Sequence, residues 1–468
     1  MSEEKSYRDS VSTIGDDGKR VWVYPKKPSG IWTNRRTYLS YLLLVVLLGL
    51  PFVRIGGEPI LMLNFLQRKF VIFGQVFWPQ DFHLFAFAMI TLVVFVILFT
   101  VVFGRLFCGW VCPQTIFMEM LFRKIEYAID GDWKQQKALK KQAWNAKKIG
   151  KRALKYSLFY LLSFFIANVF LAYIIGSDEL LKIVLDDPSN HIKGLVAILI
   201  FSFIFFFVFS YFREQVCTTI CPYGRLQGVL LDKNSIIISY DYLRGEVRGL
   251  FKKGENRKEE KKGDCIDCGQ CVNVCPTGID IRNGTQLECI NCTACIDACD
   301  FVMEKVGQEK GLIRYDSDHG IATGKTFELT TRVKAYTAVL VALLALFFGI
   351  IFSRTEVETT LLRTPGMLFQ EREGGKITNL YNYKIINKTN EAFPITFKLE
   401  NREGEIEIIG DTNIFIEEQS STEGILFIVL DKKSLTERKT FVDVGVYNGN
   451  EKLEIVSTRF TGPIIFKK

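Results

Sequence analysis

Histidine is scarce in this 468-residue chain, and cysteine is confined to one part of it. The three histidines, His83, His191 and His319, lie far apart in the sequence. We expect boundary or surface positions for them rather than a shared metal site. All twelve cysteines lie between Cys108 and Cys299, so the last third of the chain has none. Because each cysteine belongs to one of two repeated motifs, their arrangement favours cofactor or metal chemistry over structural disulfides.

Eight of the cysteines form two runs with the spacing C-x2-C-x2-C-x3-C. The first run is Cys265, Cys268, Cys271 and Cys275, and the second is Cys289, Cys292, Cys295 and Cys299. In bacterial two-cluster ferredoxins, three thiolates of each run hold one 4Fe-4S cluster and the fourth ligates the other cluster. The predicted ligand sets are therefore Cys265, Cys268, Cys271 with Cys299, and Cys289, Cys292, Cys295 with Cys275. Zinc ribbons need two pairs of cysteines and not two quartets, and disulfides suit a secreted chain.

The other four cysteines form two copies of C-x3-C-P, each placed directly after an apolar run. They are Cys108 and Cys112 in the first copy, and Cys217 and Cys221 in the second. Residues four apart on a helix share one face, so each pair could offer two sulfurs to one metal or to each other. If two returning helices end side by side, the four thiolates form one site at the membrane boundary. Thiolates select Cu(I), zinc or iron–sulfur centres, and the adjacent ferredoxin favours a redox-active occupant. Two pairs of buried, unreactive thiols are the structural alternative.

Five segments are apolar over enough residues to cross a hydrocarbon core, which needs about 20 residues at helical rise. The predicted transmembrane helices are Tyr38–Ile55, Phe82–Phe103, Tyr156–Ile175, Leu195–Phe212 and Ala335–Ser353. The first is not predicted to be a cleaved signal, because a long basic stretch precedes it and no small-residue cleavage site follows.

Basic residues are concentrated before the first predicted span and between the second and third, and they are few in the loops between the first and second spans and between the third and fourth. The positive-inside rule then places the N-terminus, both C-x3-C-P pairs and the clusters in the cytoplasm, and the C-terminus across the membrane. The net charge of +8 is explained by this bias, so we do not predict nucleic-acid binding. The basic segment Trp133–Lys155 is predicted to be a helix on anionic lipid headgroups, with a solvated charged face as the alternative.

After Ser353 the sequence changes to short alternating segments separated by turn residues, such as Gly424–Leu430 and Phe441–Tyr447. This pattern predicts an immunoglobulin-like β-sandwich, for which we expect a docking or shielding role. The predicted fold is an α-helical polytopic membrane protein with an inserted two-cluster ferredoxin module. Its predicted domains are a cytoplasmic segment at 1–36, four transmembrane helices at 37–212, a cytoplasmic region at 213–334 with the ferredoxin module at about 260–305, a fifth transmembrane helix at 335–353, and a periplasmic β domain at 354–468.

Nearly the whole chain resembles the cytochrome c oxidase accessory protein family that includes CcoG, FixG and RdxA. The resemblance rests on the two cluster runs, the appended β domain and a set of short motifs. These motifs are Cys108–Thr115 (CGWVCPQT), Ile125–Asp132 (IEYAIDGD), Cys217–Gln227 (CTTICPYGRLQ), Ser239–Asp241 (SYD) and Arg244–Gly249 (RGEVRG).

The resemblance implies a multi-pass protein of the bacterial inner membrane that assists assembly of a cbb3-type cytochrome c oxidase. It implies an oxidoreductase that reduces Cu(II) to Cu(I) for the copper centre. Catalysis and transient copper binding would fall to Cys108, Cys112, Cys217 and Cys221, beside two 4Fe-4S clusters. Expected partners are oxidase subunits or copper-delivery proteins, the lipid membrane, and an electron donor that is not visible in this chain. Two alternatives stay open: a quinol-oxidising membrane ferredoxin of the NapH or NosR type, and a non-catalytic copper-holding scaffold.

Overall fold

The computed structural model describes residues 12–15, 17–55, 58–65, 69–72, 75–77, 82–252, 255, 257, 259–324, 330–353, 355, 357–366, 368–389, 391–410, 414–435 and 437–463. Of the predicted N-terminal segment, residues 1–11 and 16 lie outside these ranges. The chain divides into two units. One unit comprises residues 1–53 and 85–347, and the other comprises residues 54–84 and 348–468.

The helices lie almost entirely in the first unit. In chain order they are α1 (Ile31–Gly49), α2 (Phe82–Phe103), α3 (Leu106–Trp110), α4 (Pro113–Ile116), α5 (Arg123–Ile129), α6 (Trp133–Lys141), α7 (Ala146–Ile175), α8 (Ser177–Leu185), α9 (Ile192–Phe207), α10 (Pro222–Leu230), α11 (Tyr242–Gly245), α12 (Gln270–Asn273), α13 (Ala294–Lys305), α14 (Asp318–Thr323) and α15 (Thr331–Phe352). Short 3-10 turns occupy Leu50–Phe52, Pro188–His191, Ile281–Asn283 and Lys432–Ser434. Wider π-helical turns occupy Phe117–Phe122, Val208–Phe212 and Val216–Ile220.

The strands lie mainly in the second unit. In chain order they are β1 (Arg54–Ile55), β2 (Glu58–Pro59), β3 (Leu61–Asn64), β4 (Lys69–Ile72), β5 (Gln75–Phe77), β6 (Ile237–Tyr240), β7 (Ile313–Asp316), β8 (Val357–Arg363), β9 (Gln370–Arg372), β10 (Lys376–Asn387), β11 (Phe393–Leu399), β12 (Gly404–Ile409), β13 (Ile414–Ile416), β14 (Ser421–Asp431), β15 (Lys439–Asn448) and β16 (Glu451–Thr461).

Five helical segments in the described part of the chain are long and apolar enough to cross a membrane, as the sequence predicts. They are Ile31–Phe52, His83–Phe103, Ala146–Ile175, Pro188–Phe212 and Thr331–Phe352. The first helix begins earlier than predicted and ends before Ile55, which belongs to strand β1.

The predicted single basic helix Trp133–Lys155 is wrong. Helix α6 ends at Lys141, and α7 begins at Ala146 and continues without a break to Ile175. The break is fixed by Asn145, whose side chain accepts a hydrogen bond from the backbone N of Lys148 and so caps α7. The second half of the basic segment is therefore the first part of a 30-residue apolar helix.

The start of α1 is held by the ferredoxin module. The backbone N atoms of Trp32 and Thr33 donate to the Oδ1 and Oδ2 atoms of Asp297 at 3.1 and 2.7 Å. Asp297 lies on α13, between two predicted cluster ligands. A carboxylate at a helix N-terminus satisfies orphan N–H groups and opposes the positive end of the helix dipole. This contact fixes the module on a candidate membrane helix.

The second unit contains the predicted β-sandwich. One sheet has the order β12-β14-β10-β8, with β9 beside β10, and the other has the order β13-β11-β15-β16. Alternate residues of both sheets fill a shared core, including Ile395, Leu426 and Val444. The sequence did not predict strands β8, β9 and β13, nor the short strands β1–β5 that connect the first two candidate spans.

Candidate iron–sulfur and thiol sites

Each predicted ligand set lines its own cavity in the first unit. The first cavity, about 330 Å³ in volume, is lined by Cys265, Cys268, Cys271 and Cys299; we call these four residues cluster site A. The second, also about 330 Å³, is lined by Cys275, Cys289, Cys292 and Cys295, and also by Cys271 of the first set. We call Cys275, Cys289, Cys292 and Cys295 cluster site B. The fourth cysteine of each run thus reaches the cavity of the other run. The ligand sets stay predictions, and this crossed lining supports them.

The two runs have the same backbone shape. In each run the residues before and after the second cysteine have positive φ: Asp267 and Gly269 in the first, Asn291 and Thr293 in the second. The left-handed backbone conformation is tolerated by Gly, Asn and Asp and is costly for Thr. They curl each loop so that its first three cysteines face one cavity, and the repetition indicates that both loops are shaped for the same kind of occupant.

Most thiols of the two cluster sites are buried among apolar groups, and Cys268 is the exposed one. Burial raises the pKa of Cys271 and Cys289 to about 12 and the pKa of Cys292 to about 11. Free thiols at these positions are therefore protonated at neutral pH, and a bound metal centre supplies the positive charge that makes them thiolates.

The cavities do not have the geometry of a single-ion site. Within the ranges that the structure describes, no three Cys, His, Asp or Glu side chains converge as ligands of one metal ion. Four sulfurs around a zinc ion lie about 3.8 Å apart, given a Zn–S bond of about 2.3 Å. A cubane cluster spaces its sulfur ligands more widely, so two separate cysteine-lined cavities fit 4Fe-4S clusters better than zinc.

The C-x3-C-P cysteines do not lie on one helix face, so that prediction is wrong. Cys108 lies in α3, whereas Cys112 is an extended residue with ψ 123° that precedes α4. Cys217 lies in the π-helical turn, and Cys221, with ψ 115°, precedes α10. The cause is the proline after each second cysteine, because the residue before proline is sterically driven out of the helical conformation.

The two C-x3-C-P copies are nevertheless neighbours. Cys108 Sγ donates to Gln227 Oε1 at 3.2 Å, and Cys217 Sγ lies 4.0 Å from Thr115 Oγ1, so each copy touches the residues that follow the other. Burial raises the pKa of Cys108 to about 11, with Arg105 opposing the rise and the nearby thiols of Cys112 and Cys221 adding to it. Burial raises the pKa of Cys217 to about 12, with Cys112, Cys108 and Cys221 adding to the effect. We call Cys108, Cys112, Cys217 and Cys221 the thiol site. In the described part of the chain, no three of their side chains converge as ligands of one metal ion.

The first C-x3-C-P copy rests on the second cluster loop. A Cβ atom on Gly109 would lie 2.3 Å from the carbonyl oxygen of Ile290, so only glycine permits this approach. Trp110 Nε1 donates to the carbonyl oxygen of Asn291 at 3.2 Å, and the hydroxyl of Tyr315 donates to the same oxygen at 3.1 Å. The thiol site therefore adjoins cluster site B.

Sequence reasoning missed a buried ion-pair network beside the thiol site. Its members are Glu119, Arg123, Glu126, Asp130, Lys155, Arg213 and Glu214. Arg213 Nη2 lies 2.8 Å from Glu126 Oε2, and Lys155 Nζ lies 2.8 Å from Asp130 Oδ2. Burial opposes ionisation of Glu126, but Arg213 and Lys155 lower its pKa below the usual value. The signal in the sequence was a set of charged residues among apolar ones at a membrane boundary.

Three family models match parts of the chain. A 4Fe-4S dicluster domain matches residues 212–318, a 4Fe-4S binding domain matches residues 85–134, and the IG-like fold at the C-terminal of FixG matches residues 347–463. The first includes all eight cysteines of the two cluster runs, and the second includes Cys108 and Cys112.

Three relatives match most of the chain. Protein RdxA of Cereibacter sphaeroides is 33% identical over 390 residues, which cover 80% of this chain and 81% of RdxA. Protein RdxB of the same organism is 33% identical over 395 residues, with the same coverage of 80% and 81%. The nitrogen fixation protein FixG of Rhizobium meliloti is 30% identical over 425 residues, covering 82% of this chain and 80% of FixG. The chain therefore belongs to the family of RdxA and FixG, and it is an iron–sulfur protein of the oxidoreductase type.

Proposed function

We propose that this protein reduces Cu(II) to Cu(I) at the thiol site, as a step in assembling a cbb3-type cytochrome c oxidase. The observation that carries the proposal is the contact between the first C-x3-C-P copy and the second cluster loop. Gly109 and Trp110 lie against Ile290 and Asn291, so a metal ion at the thiols would be one loop away from cluster site B.

The thiol site has the chemistry for this substrate. Soft thiolates favour Cu(I) over Cu(II). Two Cu(II) ions that meet a pair of free thiols take one electron each, which leaves two Cu(I) ions, one disulfide and two protons. Two electrons and two protons then restore both thiols. Bound 4Fe-4S clusters supply single electrons at low potential.

The surrounding side chains hold the thiols in place, and the four thiols differ in how exposed they are. Gln227 accepts from Cys108 Sγ and also from Arg105 Nε at 2.9 Å, which fixes the buried thiol of the first copy. Cys112, Cys217 and Cys221 are each less buried than Cys108. A metal ion would therefore meet Cys112 and Cys221 at the helix breaks before it reaches Cys108.

Purified protein, reconstituted and reduced under anaerobic conditions, tests the proposal. We expect about eight iron atoms per chain, as two 4Fe-4S clusters contain. Adding Cu(II) with a Cu(I)-specific chelator should yield one Cu(I) per electron stored, while the cluster absorption returns to the oxidised form. Copper that binds and stays Cu(II) would support the scaffold. Electron exchange with a quinol but none with Cu(II) would support the quinol-oxidising ferredoxin. About twelve iron atoms would assign the thiol site to a third cluster.

We further propose an inner-membrane location with both cysteine motifs in the cytoplasm and the β domain in the periplasm. The asymmetry of basic residues between the connecting loops supports this orientation. A reporter enzyme that is active only after export should work when fused after Lys468 and fail when fused after Lys310. Activity of the Lys310 fusion would reverse the orientation.

A further inference from the structure

Among the described residues of the first unit, five arginines are buried: Arg36, Arg105, Arg123, Arg213 and Arg257. Three of them have a carboxylate partner. Arg123 pairs with Glu119 at 2.9 Å, Arg213 with Glu126 at 2.8 Å, and Arg257 with Glu255 at 3.5 Å. Arg36 and Arg105 form no ion pair with any described carboxylate, since none of their nitrogen atoms has a carboxylate oxygen within 4.0 Å.

The two arginines without a carboxylate flank the contact between the thiol site and cluster site B. Arg36 Nε donates to the carbonyl oxygen of Gly109 at 2.7 Å, and its Nη2 has no hydrogen-bond partner. Arg105 Nη2 donates to the carbonyl oxygen of Gly224 at 2.6 Å, and its Nη1 has no partner. Arg105 also lines a small cavity together with Cys289.

Cysteines of cluster site B lie within electrostatic reach of both guanidinium groups. Arg36 binds the carbonyl oxygen of Gly109, and Gly109 rests on Ile290 between Cys289 and Cys292. Arg105 lines the same cavity as Cys289. Two carboxylates lie near this contact, and each is already engaged. Glu119 pairs with Arg123 at 2.9 Å, and Asp297 accepts from the N-terminal N–H groups of α1, whose helix dipole opposes its charge. The two arginines therefore leave a local excess of positive charge.

Cluster site A has a different electrostatic environment. Its cavity is lined by Arg282, but that guanidinium pairs with Asp280 at 2.7 Å and with Asp267 on its other side. One cation and two carboxylates leave no positive charge for an occupant, and Arg257, which donates to the carbonyl oxygen of Cys265, pairs with Glu255. A buried cation without a partner is costly, whereas a cluster with four thiolate ligands carries negative charge that grows on reduction. The positive charges of Arg36 and Arg105 therefore suit a reduced occupant of site B.

We propose that Arg36 and Arg105 are the counter-charges of cluster site B and raise its reduction potential above that of cluster site A. In a half-reduced protein the electron then resides at site B, next to the thiol site. The inference rests on the proposed ligand sets. It does not depend on copper, so a protein that fails to reduce Cu(II) would still show the order of potentials.

A redox titration of the purified protein, followed by electron paramagnetic resonance without copper, tests this inference. We expect two midpoint potentials in the unaltered protein. Cys268→Ser, which changes an exposed ligand of site A, should remove the lower one. Arg36→Gln and Arg105→Gln should each reduce the equilibrium constant for reduction of site B roughly tenfold. This lowers the higher midpoint potential by about 59 mV for one electron. Arg105→Lys keeps the charge and should restore most of the shift.

Arg257→Gln is the matched control, because Arg257 is also buried but donates to the carbonyl oxygen of Cys265 in site A. It should leave the higher potential unchanged. A single shared potential, or loss of the higher potential in Cys268→Ser, would overturn the proposal. So would an unchanged higher potential in Arg36→Gln and Arg105→Gln at full iron content. If the glutamine variants lose iron, the unaltered protein and Cys268→Ser still decide the order.

Discussion

The two C-x3-C-P copies are alike in sequence and different in what they contact. Aligning their cysteines pairs Gly109 with Thr218 and Trp110 with Thr219. In the first copy both residues contact the second cluster loop. In the second copy the hydroxyl of Thr218 donates instead to the backbone oxygen of Glu214 at 3.3 Å.

The second copy is anchored to the ion-pair network. The backbone N of Cys217 donates to the oxygen of Glu214 at 3.1 Å, and the Glu214 side chain lies 3.4 Å from both Arg213 Nε and Arg20 Nη2. The comparison teaches that a repeated motif supplies two kinds of support. One copy holds the thiol site against the iron–sulfur module, and the other holds it against the ends of the candidate membrane helices.

The largest expected effect tests whether both copies serve one site. Cys108→Ser with Cys112→Ser, and separately Cys217→Ser with Cys221→Ser, should each reduce the rate of Cu(II) reduction by about 100-fold or more. Replacing soft ligands should cost at least as much as the roughly 10–100-fold that outer-shell changes cost at metal sites. Iron content and the iron–sulfur spectrum should stay unchanged in both variants, because other cysteines line the cluster cavities.

Cys265→Ser is the opposite control, because it should remove the cluster at site A while the thiols still bind copper. A normal reduction rate in one double variant and a lost rate in the other would show that the copies are functionally separate. Normal rates in both would make the thiols structural and place copper elsewhere.

A smaller effect, on stability, should come from giving each copy the other copy's residue at this position, in the separate variants Gly109→Thr and Thr218→Gly. Gly109→Thr places a Cβ atom 2.3 Å from the oxygen of Ile290, and a backbone oxygen cannot rotate away. We expect a cost of about 3 kcal/mol, at the upper end for overpacking, with partial loss of iron from site B. Thr218→Gly removes a half-buried side chain from a helical turn and should cost about 1 kcal/mol. Apparent melting temperatures and iron content measure both, and equal costs would contradict the asymmetry.

Much of the iron–sulfur site could be predicted from the sequence, because cluster ligation depends on spacing within one short loop. The crossed positions of Cys275 and Cys299 follow from that spacing, and the two cavities agree with it. The apolar spans and the β-sandwich follow from composition and periodicity over many residues. These features are determined by residues close together in the sequence, so they can be predicted without knowing contacts between distant segments.

The surroundings of the thiol site could not be predicted, because they depend on contacts between segments far apart in the chain. Nothing in the spacing of Cys108 and Cys112 reveals that Gly109 lies on Ile290. The helix breaks at Cys112 and Cys221 had a readable signal, the proline that follows each cysteine, and the expectation of a continuous helix overlooked it. The short strands β1–β5 contain two to four residues each, too few to show a period.

The smallest expected effect is on stability and concerns the next aligned pair of the two copies, Trp110 and Thr219. Trp110→Phe removes the N–H that reaches the oxygen of Asn291 and the hydroxyl of Tyr315. The oxygen of Asn291 still accepts from Tyr315, so it is not left unpaired, and we expect a loss of only about 1 kcal/mol. Thr219→Val removes a hydroxyl that lies 3.3 Å from the hydroxyl of Thr218 and should change stability by less than about 0.5 kcal/mol. Apparent melting temperatures of both variants, recorded by cluster absorption, make the comparison. A larger loss for Thr219→Val would mean that the second copy, and not the first, holds the thiol site to the iron–sulfur module.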